Sequence, residues 1–343
     1  MMTYQKQNSR RIFLKKMAAA AALATVASPV ELLSGCKTAD RASRMPLRPL
    51  GKTGHMVGIY SLGAQATVET PGKEELAVEI VNRAIDLGIN YIDTAAAYGR
   101  STETISRQDA MGTSERNVGQ VMKTRRNEVF LASKTHDRSY DGSMRLLEKS
   151  LRNLQTDHLD LWQVHNLRAA EKERLDQYFA DDGVIKAMEK AREEGMVKNI
   201  GFTGHEDPEI LRMMAERYDF DNVLVAINAA DKYYNSMIEN FLPVAVEKEM
   251  GIVGMKIPAR DRIFDHGGII SMKEAMDYVI SLPVSTVVIG IDEIAELEEN
   301  MQIAREFKQL SADELLAIEN KAKPHYEHLQ FFKDGIGDWP AEW

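Results

Sequence analysis

Four side chains that together make a proton donor lie in one stretch of the chain: Asp93, Tyr98, Lys134 and His165. A free phenol has a pKa of about 10 and donates poorly at neutral pH. An ammonium beside it favours the phenolate, lowers that pKa and eases proton transfer. Asp93 can hold Lys134 in place and keep it charged, and the His165 imidazole can turn a carbonyl oxygen toward Tyr98. Such a set protonates a developing alkoxide while a hydride reaches the carbon from a reduced nicotinamide; run backwards, it oxidises an alcohol. Taken singly, each residue has a plainer reading. A lone histidine after a strand is usually structural, an Asp–Lys pair is usually a salt bridge, and a tyrosine can simply cap a core. The four gain meaning only if the fold brings them together.

The surrounding pattern predicts that it does. Short apolar runs near Val57–Leu62, Tyr91–Asp93, Val129–Ser133, Leu159–Val164, Asn199–Thr203, Val223–Ile227, Ile252–Met255 and Thr286–Ile289 read as strands. Helical spacing fills the gaps, near Lys73–Leu87, Glu115–Lys123, Ser143–Leu154, Gly183–Glu194, Pro208–Glu216, Ile238–Glu249, Ser271–Leu282 and Ile294–Arg305. Leu76, Ala77, Ile80, Val81, Ala84 and Ile85 repeat at helical spacing. Asp207-Pro208 supplies an N-cap and a first-turn proline, and Gly88, Gly195 and Gly251 are expected as left-handed C-caps. Eight strand–helix units point to an α/β fold, a closed parallel (β/α)8 barrel. No Gly-x-Gly-x-x-Gly follows the first strand, so a dinucleotide would not sit in a Rossmann site. Barrel enzymes work at the C-terminal ends of their strands, and there Asp93, Tyr98, Lys134 and His165 fall, on three consecutive strands.

With these motifs in place, the chain resembles the aldo-keto reductase family over nearly everything after the first 46 residues. Arg48-Pro49-Leu50-Gly51-Lys52-Thr53-Gly54 looks like that family's opening β-hairpin, and Asp93-Thr94-Ala95 with Tyr98-Gly99, Ser133-Lys134, and the run Leu159 to His165 match its signature regions. The resemblance implies Tyr98 as general acid and base, Asp93 and Lys134 as its tuners, and His165 as the substrate-orienting residue. It also implies a nicotinamide cofactor, NAD or NADP, and a small carbonyl or alcohol substrate, with polar rim residues hinting at a sugar or polyol. The cofactor side departs from the family. Thr203 can grip the carboxamide, but Gly204 replaces the usual Asn; Asn228 stands for the usual Gln, and Met255 for the stacking Tyr. Lys256 falls in the phosphate-binding quarter of a barrel. Glu299-Asn300 resembles the adenine-contacting pair. Gly290 and Glu296 align where NADPH-preferring relatives often carry Lys and Arg. A glutamate repels a 2′-phosphate but accepts a hydrogen bond from a 2′-hydroxyl, which leans the reading to NAD. Between Tyr98 and Ser114-Glu115-Arg116-Asn117 an extended loop is inserted, from Gly99 to Thr113, carrying Arg100, Arg107 and Asp109. Loops at this rim set substrate choice. A C-terminal helix and a tail from Phe331 to Trp343 could close the pocket. His325 and His328 show no third ligand, so no metal is expected.

The ends of the chain carry a separate message. Ser9-Arg10-Arg11-Ile12-Phe13-Leu14-Lys15 fits the twin-arginine pattern, and the apolar stretch after it is too short to span a bilayer, which takes about 20 residues. It ends at Leu33-Ser34-Gly35-Cys36, which resembles a bacterial lipobox with Cys36, the single cysteine, as lipid acceptor. The reading is therefore a signal over 1–36, a tether over 37–46 and a barrel over 47–343. The expected product is an exported, lipid-anchored protein on the periplasmic face of a membrane. Residues 1–35 carry a net charge of +4 against −9 for the whole chain, leaving the remainder near −13. So acidic a domain argues against nucleic acid as a partner. Export also raises a cofactor question, answered if the barrel leaves the cytoplasm with a tightly held dinucleotide. Two alternatives stand: a catalytically silent ligand-binding or regulatory barrel, and a lyase or isomerase using Lys134 as a Schiff-base nucleophile. Oligomeric state is not legible.

Overall fold

A computed structural model describes residues 44–333 apart from 267, together with 335. Arg10, Arg11, Cys36, Trp339 and Trp343 lie outside the described residues. A hairpin of β1 (Leu47–Pro49) and β2 (Met56–Gly58) comes first. It sits against the starts of the barrel strands: Lys52 N–H donates to the Glu249 carbonyl at 3.0 Å, and Gly58 N–H to Asn90 Oδ1 at 3.0 Å. Arg48 ties it to the last helix–strand turn through the Ile280 and Val284 carbonyls, both at 2.8 Å.

Eight parallel strands then close into a barrel: β3 (Tyr60–Ala66), β4 (Tyr91–Asp93), β5 (Phe130–Thr135), β6 (Leu159–Leu167), β7 (Val197–Gly204), β8 (Asn222–Ala226), β9 (Gly251–Met255) and β10 (Thr286–Ile291), with β10 pairing back onto β3. Their continuous Val, Leu and Ile runs are buried on both faces, as parallel strands inside a helical shell must be. The helices following each strand in turn are α1 (Glu74–Leu87), α2 (Thr113–Arg125), α3 (Tyr140–Leu154), α4 (Val184–Glu193), α5 (Pro208–Arg217), α6 (Leu242–Glu247), α7 (Met272–Ile280) and α8 (Ile294–Arg305). A further helix, α9 (Ala312–Ala322), follows the last unit. In α1 the face Ala77, Ile80, Val81, Ala84 and Ile85 is buried, each larger side chain contributing about 1.5–3 kcal/mol of transfer free energy. Asp207 caps α5, its Oδ1 accepting from Glu209 N–H at 2.7 Å ahead of Pro208.

The structure corrects several expectations. Gly88 and Gly195 do adopt left-handed backbone, but Gly251 opens β9, and Glu249 takes the positive φ of 53° instead. The helix expected over Ile238–Glu249 is broken into Met237–Asn240 and α6, because Pro243 is tolerated only in a first turn and forces a new start. β5 and β6 run farther than their apolar cores, through Lys134 and His165, because polar side chains can face the barrel mouth while the backbone stays paired. The inserted loop is not all irregular: it contains a helical turn, Arg107–Ala110.

Candidate active site

Strand alternation places the site. Asp93 pairs in register with Ala132 on β5, so Lys134, two residues on, faces the same side one layer higher. Gln163 is the register partner of Lys134 on β6, and His165 lies two residues beyond it. Lys134 Nζ uses its three donors on Asp93 Oδ2 at 2.5 Å, the Thr94 carbonyl at 2.8 Å and Tyr98 OH at 3.1 Å. Gln163 Nε2 holds the other Asp93 oxygen at 3.3 Å. The His165 ring meets the Tyr98 ring edge-on, with centroids 5.6 Å apart.

The supporting bonds come from the motif after the insertion. The hydroxyls of Thr94 and Ser114 lie 2.7 Å apart, and Ser114 Oγ also donates to the Ala64 carbonyl at 2.5 Å. Asn117 Nδ2 reaches the Val68 carbonyl at 3.0 Å, and buried Glu115 accepts from Ser133 and Asn153. On the other flank Arg138 donates to the carbonyls of His165 (3.0 Å) and Asn166 (2.9 Å) and to Tyr178 OH (2.6 Å). Asn166 in turn lies 3.1 Å from His205 Nδ1.

Burial rules the electrostatics. It pushes Asp93 up and Lys134 down, against their mutual attraction. It also drives the Tyr98 phenol well above its ordinary value, helped by the negative charges of Asp93 and Glu69. The expected lowering of the phenol pKa is thus reversed, because desolvation of a phenolate outweighs the neighbouring ammonium. The outcome is a neutral Tyr98 that accepts from Lys134 and keeps its own proton to give. His165 is held neutral by burial and by the positive charge of Lys134.

Asp93 and Tyr98 line a cavity of about 420 Å³. Met255, Lys256 and Gly290 share its wall with Gly63, the register partner of Gly290. A Cβ at Gly63 would lie 3.2 Å from the Ile289 carbonyl carbon, tight enough that the neighbouring backbone would have to give by a few tenths of an ångström. Thr203 is buried at the end of β7, and its Oγ1 has no hydrogen-bond partner among the described residues. Other expected cofactor residues are already occupied. Asn228 accepts from Ala230 N–H and Gln330 Nε2 and donates to the Leu329 carbonyl, anchoring the C-terminal segment. Glu296 caps α8, accepting from the backbone of Asp292 and Glu293. On the same helix Asn300 is buried and Glu299 exposed. His266 stacks on His325 at 4.7 Å, but no group among the described residues is arranged to hold a metal ion.

Gln163, Arg138, Glu69 and Arg260 are functional neighbours that the sequence reading passed over. Gln163 had a signal, sitting two residues before His165 on one strand. The other three had none, because loops bring them in.

The Aldo/keto reductase family model matches residues 56–260, more than half of the chain. The uncharacterized oxidoreductase YqkF of Bacillus subtilis is 25% identical over 81% of this chain and 97% of its own length. L-galactose dehydrogenase of Arabidopsis thaliana is 25% identical over 79% of this chain and 92% of its own. Among solved structures, an aldo-keto reductase from Klebsiella pneumoniae in complex with NADPH is 23% identical, with a TM-score of 0.64 over 82% of this chain and 96% of that one. Lys134 spends its three donors on Asp93, Thr94 and Tyr98, in one buried chain that reaches the cavity wall at the Tyr98 side chain. The chain belongs to the aldo/keto reductase family and is an oxidoreductase of that type.

Proposed function

We propose that this protein interconverts a small carbonyl compound and its alcohol, with NAD(P)(H) as redox partner and Tyr98 as general acid and base. The observation that carries the reading is the Tyr98 hydroxyl on the cavity wall, 3.1 Å from Lys134 Nζ. In the reducing direction Tyr98 gives its proton to the substrate oxygen, and Lys134 stabilises the phenolate left behind. Asp93 keeps Lys134 aimed, and neutral His165 donates one N–H to the carbonyl oxygen. In the oxidising direction the same oxygen takes the proton back. Replacing Tyr98 with Phe removes the proton and little volume, so turnover of a carbonyl panel is expected to fall by about 10²–10⁴-fold with nucleotide affinity retained. A Tyr98→Phe enzyme of undiminished kcat sinks the assignment.

The site fits a nicotinamide dinucleotide. Bound there, that group supplies or accepts the hydride. On the cavity wall Met255 would pack on the ring and Lys256 would face the phosphates; the orphaned Thr203 hydroxyl would grip the carboxamide, and by the family resemblance Glu299 and Asn300 would meet the adenine. Lys256 and Arg260 offer charge to the phosphates of either NAD or NADP. A sugar or polyol is the substrate class we favour, supported by the likeness to L-galactose dehydrogenase.

Localisation follows from Arg10-Arg11 and Cys36: export with the dinucleotide on board, then lipid anchoring. In cell fractionation the wild type is expected in the membrane and Cys36→Ser in the soluble fraction. Mass spectrometry of nucleotide extracted from the purified protein then names NAD or NADP. Unchanged fractionation of Cys36→Ser, or an empty yet active protein, removes that part of the reading.

A further inference from the structure

The segment between Tyr98 and α2 is built, not merely long. Its two ends meet at one carbonyl, since Gly112 N–H and Ser114 N–H both donate to Tyr98 O, at 3.1 and 3.3 Å. Gly99 packs so closely that a Cβ there would lie 1.9 Å from the Ala110 carbonyl oxygen, which leaves room for glycine alone. Arg100 N–H donates to the Glu69 carbonyl at 2.9 Å, fixing the start of the loop against the cavity floor. Thr102 closes a turn with Ile105, at 3.0 Å through the backbone and 3.1 Å through its hydroxyl. Ser106 then caps the turn Arg107–Ala110, accepting from Asp109 N–H at 3.2 Å and donating to Asp109 Oδ2 at 2.6 Å. That bond engages the loop's aspartate away from the cavity and leaves Arg107 at the first position of the turn, on the cavity wall.

Arg100, Ser101 and Arg107 line the same cavity as Tyr98. Across it stand Lys256 and Arg260, on the loop after β9. The cavity is electrically divided. Asp261 feels chiefly other acids, Glu296, Asp292 and Asp265, besides its burial. Burial lowers the pKa of Arg260; Arg100, Arg262 and Arg107 add to that effect, and Glu69 opposes it. Cations facing one another across a partly desolvated cavity make it attractive to an anion. The two sets also differ in origin. Lys256 and Arg260 come from the phosphate-binding quarter of the barrel, whereas Arg100 and Arg107 arrive with the proton donor.

We propose that Arg100 and Arg107 form an anion-reading subsite beside Tyr98, so that the substrate carries a carboxylate or phosphate as well as its reacting carbonyl or alcohol. This rests on the reductase reading and sharpens its substrate class to acidic sugars and related hydroxy acids. The test uses D-glucose, D-glucuronate and D-glucose 6-phosphate, which differ chiefly in the group at one end. Binding of each to the nucleotide-loaded protein is measured by calorimetry, and turnover is followed in parallel. Charge-assisted hydrogen bonds of this kind predict that a charged sugar binds about tenfold or more tightly than glucose. Arg100→Ala and Arg107→Ala should each cut that preference several-fold and the double variant abolish it. Arg107→Lys should keep part of it, and Glu103→Gln, on the outer face of the same loop, all of it. Equal affinity for the three sugars overturns the proposal. So does a loss in the arginine variants that falls on nucleotide affinity, which would assign these cations to the cofactor. Charge-selective binding without turnover of any sugar leaves the subsite standing and counts against the reductase reading. Equal binding and turnover of all three does the reverse.

Discussion

At Tyr98 two effects oppose each other: the cations nearby favour the phenolate, and burial, the larger effect, forbids it. Burial wins in the resting protein, which keeps the phenol loaded with the proton that reduction needs. The residue types in this site were legible in the sequence, but the sign of that balance was not, because it depends on how much water the fold removes. Lys256 shows the same competition nearer to neutrality. Loss of hydration and the charge of Arg260 bring its ammonium down to about 7, with Glu69 opposing. Below that pH it is charged and attracts phosphate; above it, the attraction is lost. Nucleotide affinity is therefore expected to weaken by about tenfold between roughly pH 6 and pH 8. A fluorescence titration of Lys256→Met should show weaker binding and a flat profile. A steep profile persisting in that variant would place the titrating group elsewhere.

Among the elements, precision at the rim comes from strand register and from one arginine. Strand alternation puts Asp93, Lys134 and Gln163 on a common side, and this was readable from spacing once the strands were located. Arg138, on the turn after β5, clamps the end of β6 by two carbonyls, and no local pattern announces it. A displacement of about 1 Å can cost on the order of 10²-fold in rate. Arg138→Met is accordingly expected to lower kcat/KM for carbonyl substrates by up to about 100-fold while nucleotide affinity stays within about twofold. Arg138→Lys, which keeps the charge but not the fork, should fall between. Equal loss in nucleotide binding would mark Arg138 as a stability residue only, a distinction that steady-state kinetics with a binding titration makes directly.

For the molecule as a whole, closure depends on both ends of the described chain. The hairpin covers the starts of the strands, and the segment Leu329–Lys333 returns to the loop after β8. There Lys333 Nζ, fully buried, donates to Asp231 Oδ1 at 2.7 Å and to the carbonyls of Tyr234 (2.8 Å) and Asn235 (3.0 Å). Asp231 also accepts from Ser236 Oγ and from the backbone of Met237 and Ile238. Removing one partner of a buried pair strands the other, at about 3 kcal/mol. Lys333→Met should therefore lower Tm by on the order of 10 °C. Asp231→Asn combined with Lys333→Met should recover part of that loss, since no bare charge then remains. Calorimetric melts of the wild type, Lys333→Met and the double variant decide it, and a double variant less stable than Lys333→Met contradicts the argument.

Periodicity was enough to read eight strand–helix units and to set the four rim residues at successive strand ends, because burial of a parallel strand and capping of a helix leave marks on adjacent residues; the opening hairpin came from the family resemblance. The break at Pro243 left such a mark too. What local pattern could not hold is everything that depends on residues distant in sequence becoming neighbours. The upward shift at Tyr98, the employment of Asn228 and Glu296 in holding the fold together, and the meeting of Arg100 and Arg107 with Arg260 across one cavity exist only once the barrel closes. Charges and hydrogen bonds act over a few ångströms of space, and only the closed barrel determines which residues share it.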